Sequence, residues 1–76
     1  MKALLHTLVE PLVNDPDRID IKEIDRGNTV VFELRVAPDD MGRVIGRGGR
    51  RAQAIRSIMK AKAKLHRKRC IVDIVD

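Results

Sequence analysis

The sequence contains very few aromatic residues and only one cysteine. Phe32 is the only aromatic residue and Cys70 the only cysteine, so the chain cannot form a disulfide bond within itself. No apolar run approaches the roughly 20 residues that a membrane-spanning helix requires, and the first residues lack the basic and then apolar pattern of a secretory signal. These absences argue against a disulfide-stabilised secreted domain and predict a cytoplasmic protein.

Acidic residues are absent from Met41 to Val72, although the chain contains eleven of them. Residues 1–40 carry five basic and nine acidic side chains, a net charge of −4, whereas residues 41–76 carry eleven basic and two acidic side chains, a net charge of +9. A folded surface of one sign attracts polyanions. The second half therefore predicts an anionic partner, and a merely solubilising basic face is the alternative.

The length of 76 residues predicts a single domain over residues 1–76. A domain of this size buries only about 60% of the surface of its unfolded chain. Every predicted helix and strand must therefore contribute to one thin core.

An amphipathic helix is predicted at the start of the chain. Apolar residues between Leu4 and Val13 recur every three or four positions, which predicts a helix over about residues 2 to 14. Pro11 lies inside this segment and should bend the helix, because proline lacks the N–H group that a helix interior needs.

Two strands are predicted to follow. Ile19, Ile21 and Ile24 lie among charged residues and predict a strand with one apolar face, and Arg26-Gly27-Asn28 predicts a turn after it. Residues 29–36, TVVFELRV, alternate between apolar and polar side chains and predict a second strand with Phe32 in the core.

The second half predicts a short helix, a long helix and a third strand. Pro38-Asp39-Asp40 is typical of a helix start in which a carboxylate caps free N–H groups, and residues 41–45 supply about one helical turn after it. From Arg50 a longer helix is predicted, with its inner face formed by Ala52, Ile55, Met59 and Ala63 and its opposite face by Arg56, Lys60, Lys64 and Arg67. The β-branched run CIVDIV, residues 70–75, predicts a third strand.

Between the two helices of this half lies the sequence VIGRGGRR, residues 44–51. A loop that joins two helices at a sharp angle needs positive φ angles, and glycine also leaves the backbone open to a ligand. The N–H groups of such a loop lie beside the positive end of the following helix, which attracts phosphate. The stretch therefore predicts a site for a phosphate backbone, with arginine cations around it; a purely structural turn is the alternative.

The VIGRGG sequence between two predicted helices resembles the I-G-x-x-G signature of KH domains, with residues 46–49 as the GxxG loop. In KH domains this loop clamps about four single-stranded nucleotides. The order of elements is similar to the type II arrangement, and the length, the VAPDDMGRVIGRGGR segment and the terminal VDIVD resemble the small bacterial KH proteins of the KhpA family. The resemblance implies an α+β fold of order α-β-β-α-α-β, with a three-stranded sheet packed on one side by three helices.

The resemblance also implies a function and a set of contact residues. It implies a single-stranded RNA-binding protein that is not an enzyme and uses no metal or cofactor. The RNA-binding residues are then Arg43, Val44, Ile45, Gly46, Arg47, Gly48, Gly49, Arg50, Arg51 and Ile55. Because aromatic side chains for base stacking are not available, we expect an aliphatic groove with Val44, Ile45 and Ile55 near its floor and second-strand residues on its far wall. Ala52 stands where many KH domains carry a larger aliphatic residue.

Partners are implied by the resemblance as well. Proteins of the KhpA family form a complex with a larger KH protein of the Jag, or KhpB, type, act as RNA chaperones or adaptors, and influence cell shape and wall synthesis. A heterodimer of this kind is therefore expected, with a homodimer as the alternative.

Two other classes of function are compatible with the residues alone. A nucleotide-binding enzyme subunit could use the glycine loop, but the loop lacks the Gly-Lys-Ser/Thr ending of a P-loop. An interaction protein could bind an acidic partner through its basic face. The basic residues of the long helix fit an ordinary solvated face equally well. His6 and His66 lack the partners of a zinc site. Cys70 is expected to fill the core.

Overall fold

Six main elements form the protein in the computed structural model, which describes residues 1–75. The helices are α1 (Lys2–Val9), α2 (Met41–Ile45) and α3 (Arg50–Leu65), and the strands are β1 (Asp20–Asp25), β2 (Thr29–Arg35) and β3 (Arg69–Ile74). Short 3-10 turns lie at Glu10–Leu12, Pro16–Arg18, Pro38–Asp40 and Arg47–Gly49. The predicted order α-β-β-α-α-β is confirmed.

β2 is the central strand of a three-stranded sheet of order β1-β2-β3. β1 pairs with it in antiparallel register, with Asp25 opposite Val30, and β3 pairs with it in parallel, with Thr29 opposite Arg69. A parallel pair requires a long crossover connection. Residues 36–68, which contain α2, the glycine loop and α3, form this crossover.

The core lies between the helices and one face of the sheet. Phe32 is fully buried at its centre, and the predicted inner face of α3 is confirmed, since all four of its members are buried. The buried apolar cluster consists of Leu5, Val9, Ile21, Val30, Phe32, Leu34, Val44, Ile55, Met59, Ala63, Cys70 and Val72. Within residues 1–75, no helix has the length and apolar character needed to cross a membrane.

The first helix is shorter than its apolar pattern predicts. α1 ends at Val9, and Pro11 lies near the start of the 3-10 turn that follows. Proline cannot donate a helical hydrogen bond and clashes with the carbonyl four residues earlier, and Val13 is already extended, with φ −107° and ψ 152°. Leu12 and Val13 still pack against the core, so their apolar character reflects burial rather than helix.

β1 does not have the single apolar face that its isoleucines predict. Ile21 lies opposite Leu34 and is buried, whereas Ile24 lies opposite Val31 and is only half-buried. Side chains alternate between the two faces of a strand, so positions 21 and 24 point to opposite sides. Ile19 precedes the strand, and Val36 likewise follows the end of β2.

Asp40 joins two distant parts of the chain instead of capping α2. Its carboxylate is only 2% exposed and accepts hydrogen bonds from the backbone N–H groups of Asn14 and Asp15, each at 3.1 Å. The start of α2 has no side-chain cap. The predicted cap is therefore wrong for Asp40, which instead fixes the connection between α1 and β1 to the base of the crossover through charge-assisted hydrogen bonds.

Candidate nucleic-acid interface

The backbone between α2 and α3 turns through three glycines with positive φ. Gly46 has φ 77° and ψ 173°, Gly48 has φ 64°, and Gly49 has φ 76°. L-residues adopt such angles at a cost, so glycine is the residue that this turn favours. Hydrogen bonds from Gly46 N to Gly42 O (2.9 Å) and from Gly49 N to Gly46 O (3.1 Å) hold the turn in place.

The three glycines differ in the space around them. A Cβ at Gly46 would lie 2.8 Å from Cβ and Cγ of Arg51 and 2.9 Å from its backbone nitrogen. A Cβ at Gly48 or Gly49 would meet nothing within 4 Å. Gly46 is thus required by internal packing, whereas the other two glycines leave the tip of the loop open.

The arginines of the loop fall into two kinds. Arg51 donates a hydrogen bond from Nη1 to the carbonyl oxygen of Arg43 at 2.9 Å, which ties the start of α3 to the last turn of α2. Arg47 and Arg50 are exposed and have no salt bridge or side-chain hydrogen bond to any of residues 1–75. The two free cations at the loop are therefore Arg47 and Arg50, whereas the Arg51 guanidinium is held by the backbone of α2.

The amino-terminal end of α3 is open to an anion. Gly49 is its N-cap residue, no side chain caps it, and its first turn contains no acidic residue. The first N–H groups of a helix lack intrahelical acceptors and carry partial positive charge. The open loop tip, the helix end and the two free arginines thus provide a site suited to a phosphate group.

The apolar residues expected beneath the ligand do not all reach the surface. Val44 is fully buried and Ile55 is only 4% exposed, so both belong to the core. Ile45 is 36% exposed and offers apolar surface next to the loop. The far wall of the groove is expected from the sequence to consist of residues of the second strand. β2 is instead the central strand, and β3 is the edge strand that lies beside α3. Arg43, the remaining predicted contact, is exposed, with Nε 3.9 Å from Asp40 Oδ1.

A basic cavity that the sequence interpretation missed lies between α3 and β3. Its volume is about 440 Å³, and its lining includes Lys60, Lys64, Lys68, Arg69 and Cys70. Sequence spacing places Lys60 and Lys64 on one side of α3 but cannot show that β3 returns alongside them. Burial raises the pKa of the Cys70 thiol, and the nearby positive charge of Lys60 opposes this effect.

Arg56 does not lie on the solvated face opposite the core. It is half-buried, and its Nε donates a hydrogen bond to the carbonyl oxygen of Val72 at 3.1 Å. This side of α3 therefore borders β3. Among residues 1–75, no group of three or more histidine, cysteine or acidic side chains is arranged to hold a metal ion.

A glycine loop of this geometry between two helices, within the crossover of an α-β-β-α-α-β fold, defines a KH domain of the type II arrangement. The family model described as KhpA/KhpB, KH domain, matches residues 2–74. The chain belongs to the KhpA/KhpB KH-domain family.

Curated relatives match over the whole length of the chain. The RNA-binding protein KhpA of Caldanaerobacter subterraneus subsp. tengcongensis is 47% identical over 75 residues, covering 99% of this chain and 100% of the relative. The protein of the same name from Clostridium acetobutylicum is 45% identical with the same coverage, and that from Aquifex aeolicus is 37% identical over 100% of this chain and 96% of its own. No solved structure matched the chain.

Proposed function

We propose that the protein binds single-stranded RNA at the glycine loop. The observation that carries this proposal is the open loop tip, where a Cβ at Gly48 or Gly49 would meet nothing within 4 Å and the exposed Arg47 and Arg50 flank the two glycines in sequence. A phosphate group fits this tip, and Ile45 offers an apolar contact for a base. The relatives named as RNA-binding proteins support the choice of RNA as the ligand.

The expected ligand is unpaired because a duplex hides its base edges and faces from a groove of this kind. Titration of the protein with a labelled single strand, and with the same strand annealed to its complement, tests this. Tighter binding of the single strand is expected, with a logarithmic salt slope of about −0.7 for each neutralised phosphate. Equal affinity for both forms would leave only a basic surface that does not distinguish them, and the proposal would fail.

The proposal includes a second protein as partner. α3 exposes an apolar stripe, formed by Ala54, Ile58, Ala61 and Leu65, with Ile58 44% and Leu65 77% exposed. The spacing of four, three and four positions is that of a helix that pairs with another helix. We favour a heterodimer with a larger KH protein of the KhpB type over a homodimer, because the KhpB type shares this family model.

Light scattering of the purified chain and affinity purification from cells test the partner proposal. Replacing Ile58 by lysine should abolish the association, whereas the same replacement at Ile71, an exposed isoleucine outside the stripe, should preserve it. A monomer with no co-purifying protein, or equal effects of the two substitutions, would contradict the proposal.

The cellular part of the proposal is action as an RNA chaperone or adaptor in the cytoplasm, with an influence on cell shape and wall synthesis. Modest affinity at the glycine loop suits such a role, because it allows exchange between RNAs. Deletion of the gene should change cell length, and a variant that folds but does not bind RNA should fail to restore it. Restoration by that variant would separate the cell-shape role from RNA binding.

A further inference from the structure

The cavity between α3 and β3 combines an apolar wall with a basic rim. The 52% exposed Ile71 provides apolar surface beside the buried Cys70, and Lys60, Lys64 and Arg69 complete the lining. These three cations have no salt bridge to any of residues 1–75, whereas the Nζ of Lys68 lies 3.3 Å from Asp25 Oδ2 and is already partnered. An anion with an apolar, flat portion fits this combination, and a nucleotide has both parts.

The cavity lies on the same helix as the glycine loop, at the other end. With a rise of about 1.5 Å per residue, Lys60 lies about 15 Å and Lys64 about 21 Å along the axis from Arg50. Arg56, Lys60 and Lys64 recur every four residues and share one side of α3. The hydrogen bond from Arg56 to Val72 shows that this side borders β3.

The segment of the chain that contains both clusters of cations carries no acidic residue from Met41 up to Val72. The loop, α3 and the start of β3 therefore contribute only positive charges of their own, and Asp25 from β1 pairs with Lys68. A flexible polyanion bound at the loop would be attracted by these charges. An acidic peptide would also meet cations here, but it would have no reason to be anchored at the glycine loop.

We infer that this cavity, the α3–β3 pocket, is a second anchoring site that holds nucleotides of the same RNA strand beyond those at the glycine loop. The inference rests on the proposed function, since the loop supplies the first anchor. Two anchors on one strand raise its affinity through effective concentration. The protein would therefore discriminate RNAs by the length of the unpaired segment more strongly than a single four-nucleotide clamp, which gains only the statistical advantage of extra binding registers on a longer strand.

The test compares a single-stranded RNA of about four nucleotides with one of about ten, which reaches beyond the clamp. The longer RNA should bind at least about a hundredfold more tightly to the parent protein, which exceeds the several-fold gain expected from extra registers at one clamp. The double substitution Lys60→Gln and Lys64→Gln should remove most of this gain and leave the affinity for the short RNA within about twofold. The double substitution Lys62→Gln and Arg67→Gln, which removes the same two charges from residues outside the pocket, is the matched control and should keep the gain.

A second measurement locates the strand directly. A thiouridine placed near the end of the longer RNA that lies away from the loop should crosslink to a peptide containing Cys70 and Ile71. A gain with length no larger than extra registers give, an equal loss of both RNAs in the double variant, or an acidic peptide that competes only at this pocket would overturn the inference while leaving RNA binding at the loop intact. Failure of the short RNA to bind at all would overturn the proposed function instead.

Discussion

The side chain of Arg51 fills the space into which a side chain at Gly46 would project. A Cβ at Gly46 would be 2.8 Å from the Arg51 Cβ, and the Arg51 guanidinium at the same time holds the Arg43 carbonyl. The first glycine of the loop and the second residue of α3 therefore form one packing unit, which sets the angle between α2 and α3.

This contact predicts unequal effects of alanine at two glycines. Gly46→Ala should lower the free energy of unfolding by about 3 kcal/mol, because left-handed strain and a forced overlap add together. Gly48→Ala should cost only about 1 kcal/mol, because its site is open and only the strain remains. Urea denaturation of both variants measures the difference. Equal costs would mean that the loop relaxes away from Arg51.

The two kinds of arginine predict a second contrast. Arg50→Ala should weaken RNA binding and reduce its salt dependence without changing the melting temperature, because Arg50 is exposed and has no salt bridge or side-chain hydrogen bond to any of residues 1–75. Arg51→Ala should lower the free energy of unfolding by up to about 1 kcal/mol, because it removes a hydrogen bond to the backbone. Thermal unfolding and RNA titration are needed for both variants. The interpretation fails if Arg50→Ala destabilises the fold as much as Arg51→Ala does.

Reversing the charge at the loop tip should separate binding from folding. Replacing Arg47 and Gly48 together by aspartate places two carboxylates where a phosphate should lie, and RNA affinity should fall more than tenfold. The melting temperature should fall by only a few degrees, because the tip is exposed and aspartate tolerates positive φ better than most residues.

The hairpin between β1 and β2 offers a matched control for this experiment. Arg26 and Gly27 form a second exposed arginine-glycine pair, with Gly27 at φ 77° in open space. Replacing both by aspartate makes the same change in charge and backbone strain away from the glycine loop. RNA binding should be reduced far less than in the loop variant, and a comparable loss would indicate attraction by overall charge alone.

The buried Asp40 predicts a large effect from a small change. In Asp40→Asn one of the two accepting oxygens becomes an NH₂ group that faces a backbone N–H, which should cost about 2 to 3 kcal/mol. Asp39→Asn, next to it but exposed, should have almost no effect. Denaturation of the two variants compares them directly. A neutral Asp40→Asn would show that the α1–β1 connection is held by other contacts.

The thiol of Cys70 predicts a dependence on pH. Its pKa is raised in the folded protein by burial, so the neutral thiol persists to higher pH than in the unfolded chain. The folded state gains stability from this group below the unfolded pKa and loses it as the pH rises through the folded pKa. Alkylation of the thiol should therefore be slow near neutrality and speed up on unfolding, as mass spectrometry over a pH series can measure.

Local periodicity predicted most of the fold, because the elements it identified bury one regular face. The inner face of α3 and the alternation around Phe32 are examples, and the positions of the glycines predicted the loop. The prediction of α1 was wrong where buried residues lie outside regular secondary structure. Leu12 and Val13 are apolar because they pack against the core after the helix has ended. The role of Asp40 and the lining of the α3–β3 pocket both depend on contacts between residues far apart in sequence. A local sequence pattern cannot predict such contacts.

The parallel pairing of β2 with β3 also has a kinetic consequence. The hairpin of β1 and β2 joins neighbouring residues, whereas Thr29 and Arg69 meet only when the segment that contains α2, the glycine loop and α3 has closed into a ring. Closing so long a segment is slow compared with forming a hairpin. The conformation of the glycine loop should therefore be among the last features to form. Transient release of β3 should unfold the glycine loop while the β1–β2 hairpin stays folded. Amide protons of α3 and β3 would then exchange with solvent as one unit, and a bound RNA would slow that exchange throughout the unit.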